Sequence, residues 1–297
     1  MGMDGCEGCF YRQMRRVAEF CHLDDDTLAT MLEQADRMVR EAPRVGGRVK
    51  PTLMGDLLTH IEPLIGTDDP YKQVKAAYNA LLLDREDECR ANIAAADDPF
   101  QLALRYAAAG NLIDFGAKNE FTRDDVTELL DKVPSIEFAV DDSADLTESV
   151  RHAKSVMYLG DNCGEIVLDK ALIGEIRREN PDVDVTYGVR GGAVINDVTV
   201  DDAAQVGMAD VAHVVPSGAA VPATDLDLCS QEFLDAYYGA DVVICKGMGN
   251  FESLCDDCRR DDVYFLLMTK CDLVAGVIGA PLLSLVCARN SDALHAI

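Results

Sequence analysis

Positive charge is scarce in this sequence: 27 Lys and Arg stand against 53 Asp and Glu, a formal net charge of −26. Only nine of the bases are lysine, and 37 of the acids are aspartate. A nucleic-acid partner is therefore not expected, because it needs a basic footprint. So acidic a surface repels itself in dilute buffer and relaxes when dense salt screens it, which makes halophilic adaptation the simplest reading. Most acidic clusters then belong to solvated faces. A carboxylate needs positional support before it counts as a ligand.

Long apolar runs are missing as well. None reaches the roughly 20 residues of a membrane helix, so no membrane partner is expected. The first residues carry Cys6, Glu7, Cys9, Arg12 and Arg15 in place of an apolar leader, and a cytoplasmic location is the expectation. Histidine is sparse, and His22, His60, His152, His213 and His295 all fall outside the motifs described below, which argues against a histidine-rich zinc site. No internal repeat or low-complexity linker interrupts the chain, and no pattern sets an oligomeric state. Cysteine is plentiful at eleven. The number is odd, and Cys245 in "DVVICKG" and Cys287 in "LSLVCA" read as small core residues of a protein in a reducing compartment.

What is present falls into two periods. Up to about residue 133 apolar residues recur at three and four, as in "TLATMLEQADRMVREA" after the cap candidates Asp24 to Asp26, and in a long helix following Pro70. "PFQLALRYAAAGNLIDFGA" reads as a helix interrupted near Gly110, and "TRDDVTELLDKV" as a short capped one. From about residue 155 short β-rich runs alternate with helical ones: "SVMYLG", "VDVTYGV", "AHVVPSG", "ADVVICKG" and "DLVAGVIG". Near-continuous apolar strands separated by helices imply a parallel sheet covered on both faces. The expectation is an α/β fold: a doubly wound, mostly parallel sheet at 151–297, Rossmann-like, with an α-helical N-terminal part at 1–150, the two forming one compact unit.

Ligands of open parallel sheets bind outside the carboxyl ends of the strands. The first such end carries Asp161, Asn162 and Glu165 in "LGDNCGEI". The second carries Arg190, then Asn196 and Asp197 in "GGAVINDVTVDD". The fourth ends in "CKGMGNFE", which places Lys246 and a turn from Gly247 to Asn250 at the same rim. Carboxylates and an amide oxygen suit a hard divalent cation, while Lys246, Arg190 and nearby helix N-termini suit an anion. Together they are the means of holding a phosphoryl group. Singly each has a plainer reading. Asp161 and Asp197 serve equally well as helix caps or loop acids, and Lys246 as a surface lysine. "GMGNF" lacks the third glycine of a dinucleotide fingerprint.

At these residues the sequence resembles the damage-control phosphatase family, metal-dependent phosphatases formerly known as a domain of unknown function. The matching stretches are "LGDNCGEIVLD", "VRGGAVINDVT" and "KGMGNFESL", joined by "AAAGNLIDFGA", "CEGC" and "YFLLMTKC". They span nearly the whole chain, and the set is similar to the prokaryotic branch with an N-terminal Cys-x-x-Cys. The resemblance implies that Asp161, Asn162 and Asp197 hold a divalent cation (Mg, Mn, Co or Ni) and that Lys246 contacts phosphate. Glu165, Arg190 and Asn196 fall beside them. It implies hydrolysis of a small phosphorylated metabolite, such as a sugar phosphate or a phosphopantetheine-like compound.

Attack on phosphorus comes from a water or from a carboxylate, with Asp161 the best-placed carboxylate and Glu165 a candidate to position the water. Asn111 and Asp114 either face the cleft and read the organic part of the substrate, or form a cap and a buried hydrogen-bonded pair. Two other functions stay open. One is an S-adenosylmethionine-dependent carboxyl methyltransferase, an activity described for a eukaryotic branch of the same family. It is disfavoured because "YGVR" puts Arg190 where such enzymes place a ribose-binding acid. The other is a non-catalytic metal- or metabolite-binding protein. Cys6 with Cys9, and Cys255 with Cys258, have metal-ligand spacing, and a structural zinc is one reading beside a redox pair or simple packing.

Overall fold

The computed structural model describes residues 7–45, 48–111 and 123–290. The first helices are α1 (Glu7–Phe20) and α2 (Asp25–Glu41). Asp24 starts α2 as the sequence suggests, its Oδ1 accepting the backbone N–H of Thr27 at 2.8 Å. A two-stranded antiparallel ribbon, β1 (Arg44–Val45) and β2 (Arg48–Val49), leads to α3 (Leu53–Ile65). The long α4 (Lys72–Ala95) follows, then α5 (Pro99–Gly110), which has Pro99 in its first turn and Asp98 as its cap. Next come α6 (Arg123–Lys132), β3 (Phe138–Asp141) and α7 (Ser143–His152).

The remaining elements alternate: β4 (Ser155–Leu159), α8 (Glu165–Glu179), β5 (Asp184–Val189), α9 (Val200–Gln205), β6 (His213–Pro216), α10 (Gln231–Gly239), β7 (Val242–Lys246), α11 (Gly247–Leu254), β8 (Val263–Met268), α12 (Asp272–Ile278) and β9 (Leu285–Arg289). One seven-stranded sheet results, in the order β3-β9-β8-β7-β4-β5-β6. The five strands from β8 to β6 are mutually parallel; β9 runs antiparallel to β8, and β3 parallel to β9. The fold is the α/β class expected, mostly parallel and covered on both faces.

Side-chain alternation explains why the central strands read as unbroken apolar runs. In β4, Val156 and Tyr158 enter the core under α4, α5 and α8, whereas Met157 and Leu159 enter the opposite one under α10 and α11. In β7 the same division separates Val242 and Ile244 from Val243 and Cys245. A third cluster, with Met14, Val17, Met31, Leu57 and Ile61, holds α1, α2 and α3 together and takes in Val194 from the loop after β5.

Two readings of the sequence need correcting. "DLVAGVIG" is not a strand: it forms α12, capped by the Cys271 thiol and closed by Gly279 at φ 74°. A short apolar run carries no period that separates a strand from a buried helical turn. The sheet also includes β9, where Cys287 sits in an apolar run, and two strands beyond the expected set, β8 and β3, of which β3 comes from within the first 150 residues. β3 alternates half-buried with exposed residues at the sheet edge, a weak signal beside the acidic loop that follows it.

The helical layer meets the sheet's loops closely at Gly55 of α3. A Cβ there would lie 2.3 Å from the carbonyl oxygen of Ala220 and 2.9 Å from Val221 Cγ1. Backbone cannot yield as a side-chain tip can. Gly55→Ala is expected to destabilise the fold by about 1–3 kcal/mol, read as a lower Tm in concentrated salt.

Candidate active site

β4 and β5 end side by side, and the loops after them are stitched together by backbone hydrogen bonds. Val198 N–H donates to Asp161 O at 2.8 Å, and Cys163 N–H to Asn196 O at 2.9 Å. Asn162 and Asp197 form an isolated antiparallel bridge. Two segments more than thirty residues apart are thus held as one unit, and Asp161 and Asp197 face the same pocket. The pocket has a volume of about 210 Å³, and its floor includes Asp161, Asn162, Asn196 and Asp197. Met248, Gly249 and Lys270 contribute from the ends of β7 and β8. Cys9 and Gln13 of α1 form part of the far wall.

Arg190, the residue after β5, is buried between the two acids. Its Nε donates to Asp197 Oδ2 at 2.6 Å, and its Nη2 lies 3.4 Å from Asp161 Oδ1. Nη1 donates to Asn250 Oδ1 at 3.1 Å and to Thr224 Oγ1 at 3.3 Å. Asn250 in turn donates to the carbonyls of Gly160 and Lys246. Arg190 and Asn250 therefore order the site from within. Burial alone would lower the guanidinium pKa, but Asp197 and Asp161 raise it overall.

Asn111, at the end of α5, reaches the same centre. Its Nδ2 donates to Asp161 Oδ2 at 3.0 Å and to Glu165 Oε2 at 3.1 Å. Close packing permits this, since a Cβ on Gly110 would lie 3.0 Å from Glu165 Cβ and 2.9 Å from Leu168 Cδ1. Glu165 is fully buried and accepts the backbone N–H of Asn162 at 3.0 Å. Asp114 and Cys6 lie outside the described residues.

Lys246, expected at the phosphate, is turned the other way. Its fully buried ammonium donates to Asp169 at 2.7 Å and stands 3.7 Å from Glu165. Asp169 also accepts hydrogen bonds from Tyr158 and Tyr187, and was not recognised in the sequence. Its signal was faint: an acid one turn beyond Glu165 on an otherwise apolar helix face. The lysine that lines the pocket is Lys270, in the "MTKC" stretch, with Nζ donating to Asn111 O at 2.8 Å.

The charges show what the pocket lacks. Asp161, Glu165, Asp169 and Asp197 are buried with Arg190 and Lys246, so full ionisation leaves an excess of two negative charges. Burial, Glu165 and Asp197 push the Asp161 carboxyl well above its ordinary range. Lys270 offsets part of the excess. Asn196 lines the pocket, and its Nδ2 is buried without a hydrogen-bond partner. Buried carboxylate charge and oxygen donors fit a divalent cation. Asn162 now turns Nδ2 toward Asp161 Oδ2, at 2.7 Å, so it would hold a cation only with the amide oxygen presented instead. Among the described residues no group of three or more His, Cys, Asp and Glu side chains is disposed to hold a metal; the set here is two carboxylates and an amide.

The damage-control phosphatase ARMT1-like domain model matches residues 3–286. The chain belongs to that family. A damage-control phosphatase of Pyrococcus horikoshii is 32% identical over 96% of each protein, and one of Archaeoglobus fulgidus is 27% identical over 92% of this chain and 94% of the relative. The crystal structure of a family protein from Pyrococcus horikoshii superposes with a TM-score of 0.84 at 30% identity, covering 96% of this chain and 98% of that one. Membership in the damage-control phosphatase family and these relatives support a phosphatase role. No described helix is long and apolar enough to cross a membrane. Of the cysteine pairs, Cys9 lines the pocket and accepts from Arg12 at 2.8 Å, while Cys255 and Cys258 are buried in the apolar core beside α11.

Gly247 shows how little room the site leaves. Its φ is 76°, and a Cβ there would lie 1.9 Å from Asp161 Oδ2. Gly247→Ala is expected to displace Asp161 and lower turnover by about 10²-fold, with the fold retained by circular dichroism.

Proposed function

We propose that the protein is a metal-dependent phosphatase acting on a small phosphorylated metabolite, of the sugar-phosphate or phosphopantetheine-like kind. The observation that carries this reading is the convergence of Asp161 and Asp197, through one guanidinium, on a pocket that also holds Lys270 and the unpartnered Asn196 amide. Asp161, Asn162 and Asp197 would hold the cation, Mg, Mn, Co or Ni. When bound, such an ion supplies Lewis-acid polarisation of a phosphoryl oxygen.

The chain's own groups do the rest. Lys270, an ammonium with three donors, supplies positive charge to a phosphate seated on the floor of the pocket. A turn of the Asn196 side chain toward the pocket would offer its unpartnered Nδ2 to a phosphoryl oxygen. Arg190 keeps the two aspartates on one side of the floor. Lys246 acts at one remove, its charge balancing Asp169 and Glu165 beneath Asp161. Asp161 Oδ2 already accepts two amide hydrogen bonds and Oδ1 faces Arg190, which favours water over this carboxylate as the nucleophile. Glu165, bonded to Asn111 and to the Asn162 backbone, orients the acid–amide pair and does not line the pocket. The guanidinium of Arg190 at the end of β5 speaks against a ribose-binding site there, so no observation favours the methyltransferase reading.

Asp161→Asn and Asp197→Asn are each expected to abolish cation-stimulated phosphate release from a panel of phosphate esters assayed in concentrated salt. Retained turnover in folded variants counts against the assignment. Lys270→Met is expected to raise KM more than it lowers kcat, by about tenfold.

Proton competition gives a further check. The folded pKa of Asp161 lies above its unfolded value near ~3.9, so its proton favours the fold at low pH. That contribution fades as pH rises from the unfolded pKa through the folded one. A cation displaces the proton, so Mn²⁺ affinity, measured by calorimetry, is expected to rise with pH across the same window.

A further inference from the structure

Outside the lining of the pocket, helix α4 touches both loops that carry the candidate cation ligands. Lys75 and Asn79 are one turn apart on α4, at i and i+4, and both are buried. The ammonium of Lys75 reaches Asp202 Oδ2 at 3.1 Å and Asp69 Oδ2 at 2.8 Å. The same Asp202 oxygen accepts the backbone N–H of Thr199 at 3.0 Å and its hydroxyl at 2.7 Å. Thr199 stands two residues after Asp197. Asn79 Oδ1 accepts the backbone N–H of Gly164 at 2.7 Å, and its Nδ2 donates to Gln205 Oε1 at 2.9 Å. Gly164 stands two residues after Asn162. The backbone there, at φ 87°, presses on α4 so closely that a Cβ would lie 3.2 Å from Tyr78 Cβ.

We propose that Lys75 and Asn79 are positioning residues of the active site: from one helix face they fix how far the Asp161–Asn162 loop stands from the Asp197 loop, and so set the cation affinity. The inference rests on the cation reading above and extends it to two residues that touch neither cation nor substrate. A backbone N–H and a helix cap are rigid handles. A rigid helix holding one handle of each loop leaves the loops no independent freedom. Groups behind metal ligands commonly change affinity or activity by about 10–100-fold when removed. Lys75 is suited to the task because Asp69 ties its ammonium from the α4 side while Asp202 ties it from the ligand side. Its three donors allow both contacts at once.

The test compares the unaltered protein with Lys75→Met, Lys75→Arg and Asn79→Ala. All are kept in concentrated salt, and Mn²⁺ binding is measured by electron paramagnetic resonance without substrate, alongside kcat, KM and Tm. The expected result is a Mn²⁺ Kd raised about 10–100-fold in Lys75→Met and Asn79→Ala, partial rescue in Lys75→Arg, and a fall in kcat that excess Mn²⁺ partly restores. Unchanged Mn²⁺ affinity in the folded variants, whatever their Tm, overturns the proposal and leaves the cation site standing. Failure of the unaltered protein to bind Mn²⁺ overturns the cation reading itself, and this inference with it. Should Lys75→Met not fold, Asn79→Ala decides by the same criterion.

Discussion

The site depends on a single guanidinium. Arg190 gathers Asp161 and Asp197 on one side and Asn250 and Thr224 on the other, and it is buried with all four. Without a counter-charge the two aspartates would repel across a few ångströms of poorly hydrated space. With one in a fixed fork geometry, they are held to a common direction. Net charge stays negative even so, and that deficit of positive charge is the basis on which a cation is proposed for the site. Removing Arg190 would leave more than an unpaired acid, because Asn250 carries the same connection to the end of β4 and to the start of α11.

Around that centre the fold works as a set of nested braces. The sheet supplies parallel strand ends in register, and the backbone bridge between Asn162 and Asp197 merges two loops. α5 sends in Asn111 from one side. α4 holds both loops from behind, and Lys246 with Asp169 and two tyrosines fills the floor beneath Glu165. Nearly every polar atom near the centre is committed to another protein group. Asn196 Nδ2 is the informative exception, since a buried donor with no acceptor costs free energy unless function supplies one.

Much of this was legible in the sequence, and the unread parts share a cause. The parallel strands β4 to β7 showed themselves as apolar runs because both sheet faces are covered. Asp161, Asn162, Arg190, Asn196 and Asp197 sat at strand ends, where topology alone argues for function. Lys246 also ended a strand, but position along a chain does not fix a rotamer: the side chain points toward a buried acid on α8. Asp169, Lys75 and Asn79 lay hidden for a related reason. Each is an ordinary polar residue within a helix, given meaning only by what packs against it. α12 and β8 show the limit of periodicity, because a run as short as either is too brief for its apolar residues to establish a period.

The strand order has a consequence for how the protein is made. β7 inserts between β4 and β8, yet it is synthesised after β5 and β6. A nascent chain that has left the ribosome only as far as α10 already possesses both aspartates and their arginine, but not Asn250, Gly247 or Lys270. The early sheet must keep a vacant edge beside β4 until the later strands arrive, and that edge is a target for wrong partners. The pocket is therefore complete only after β7 and β8 have been added beside β4.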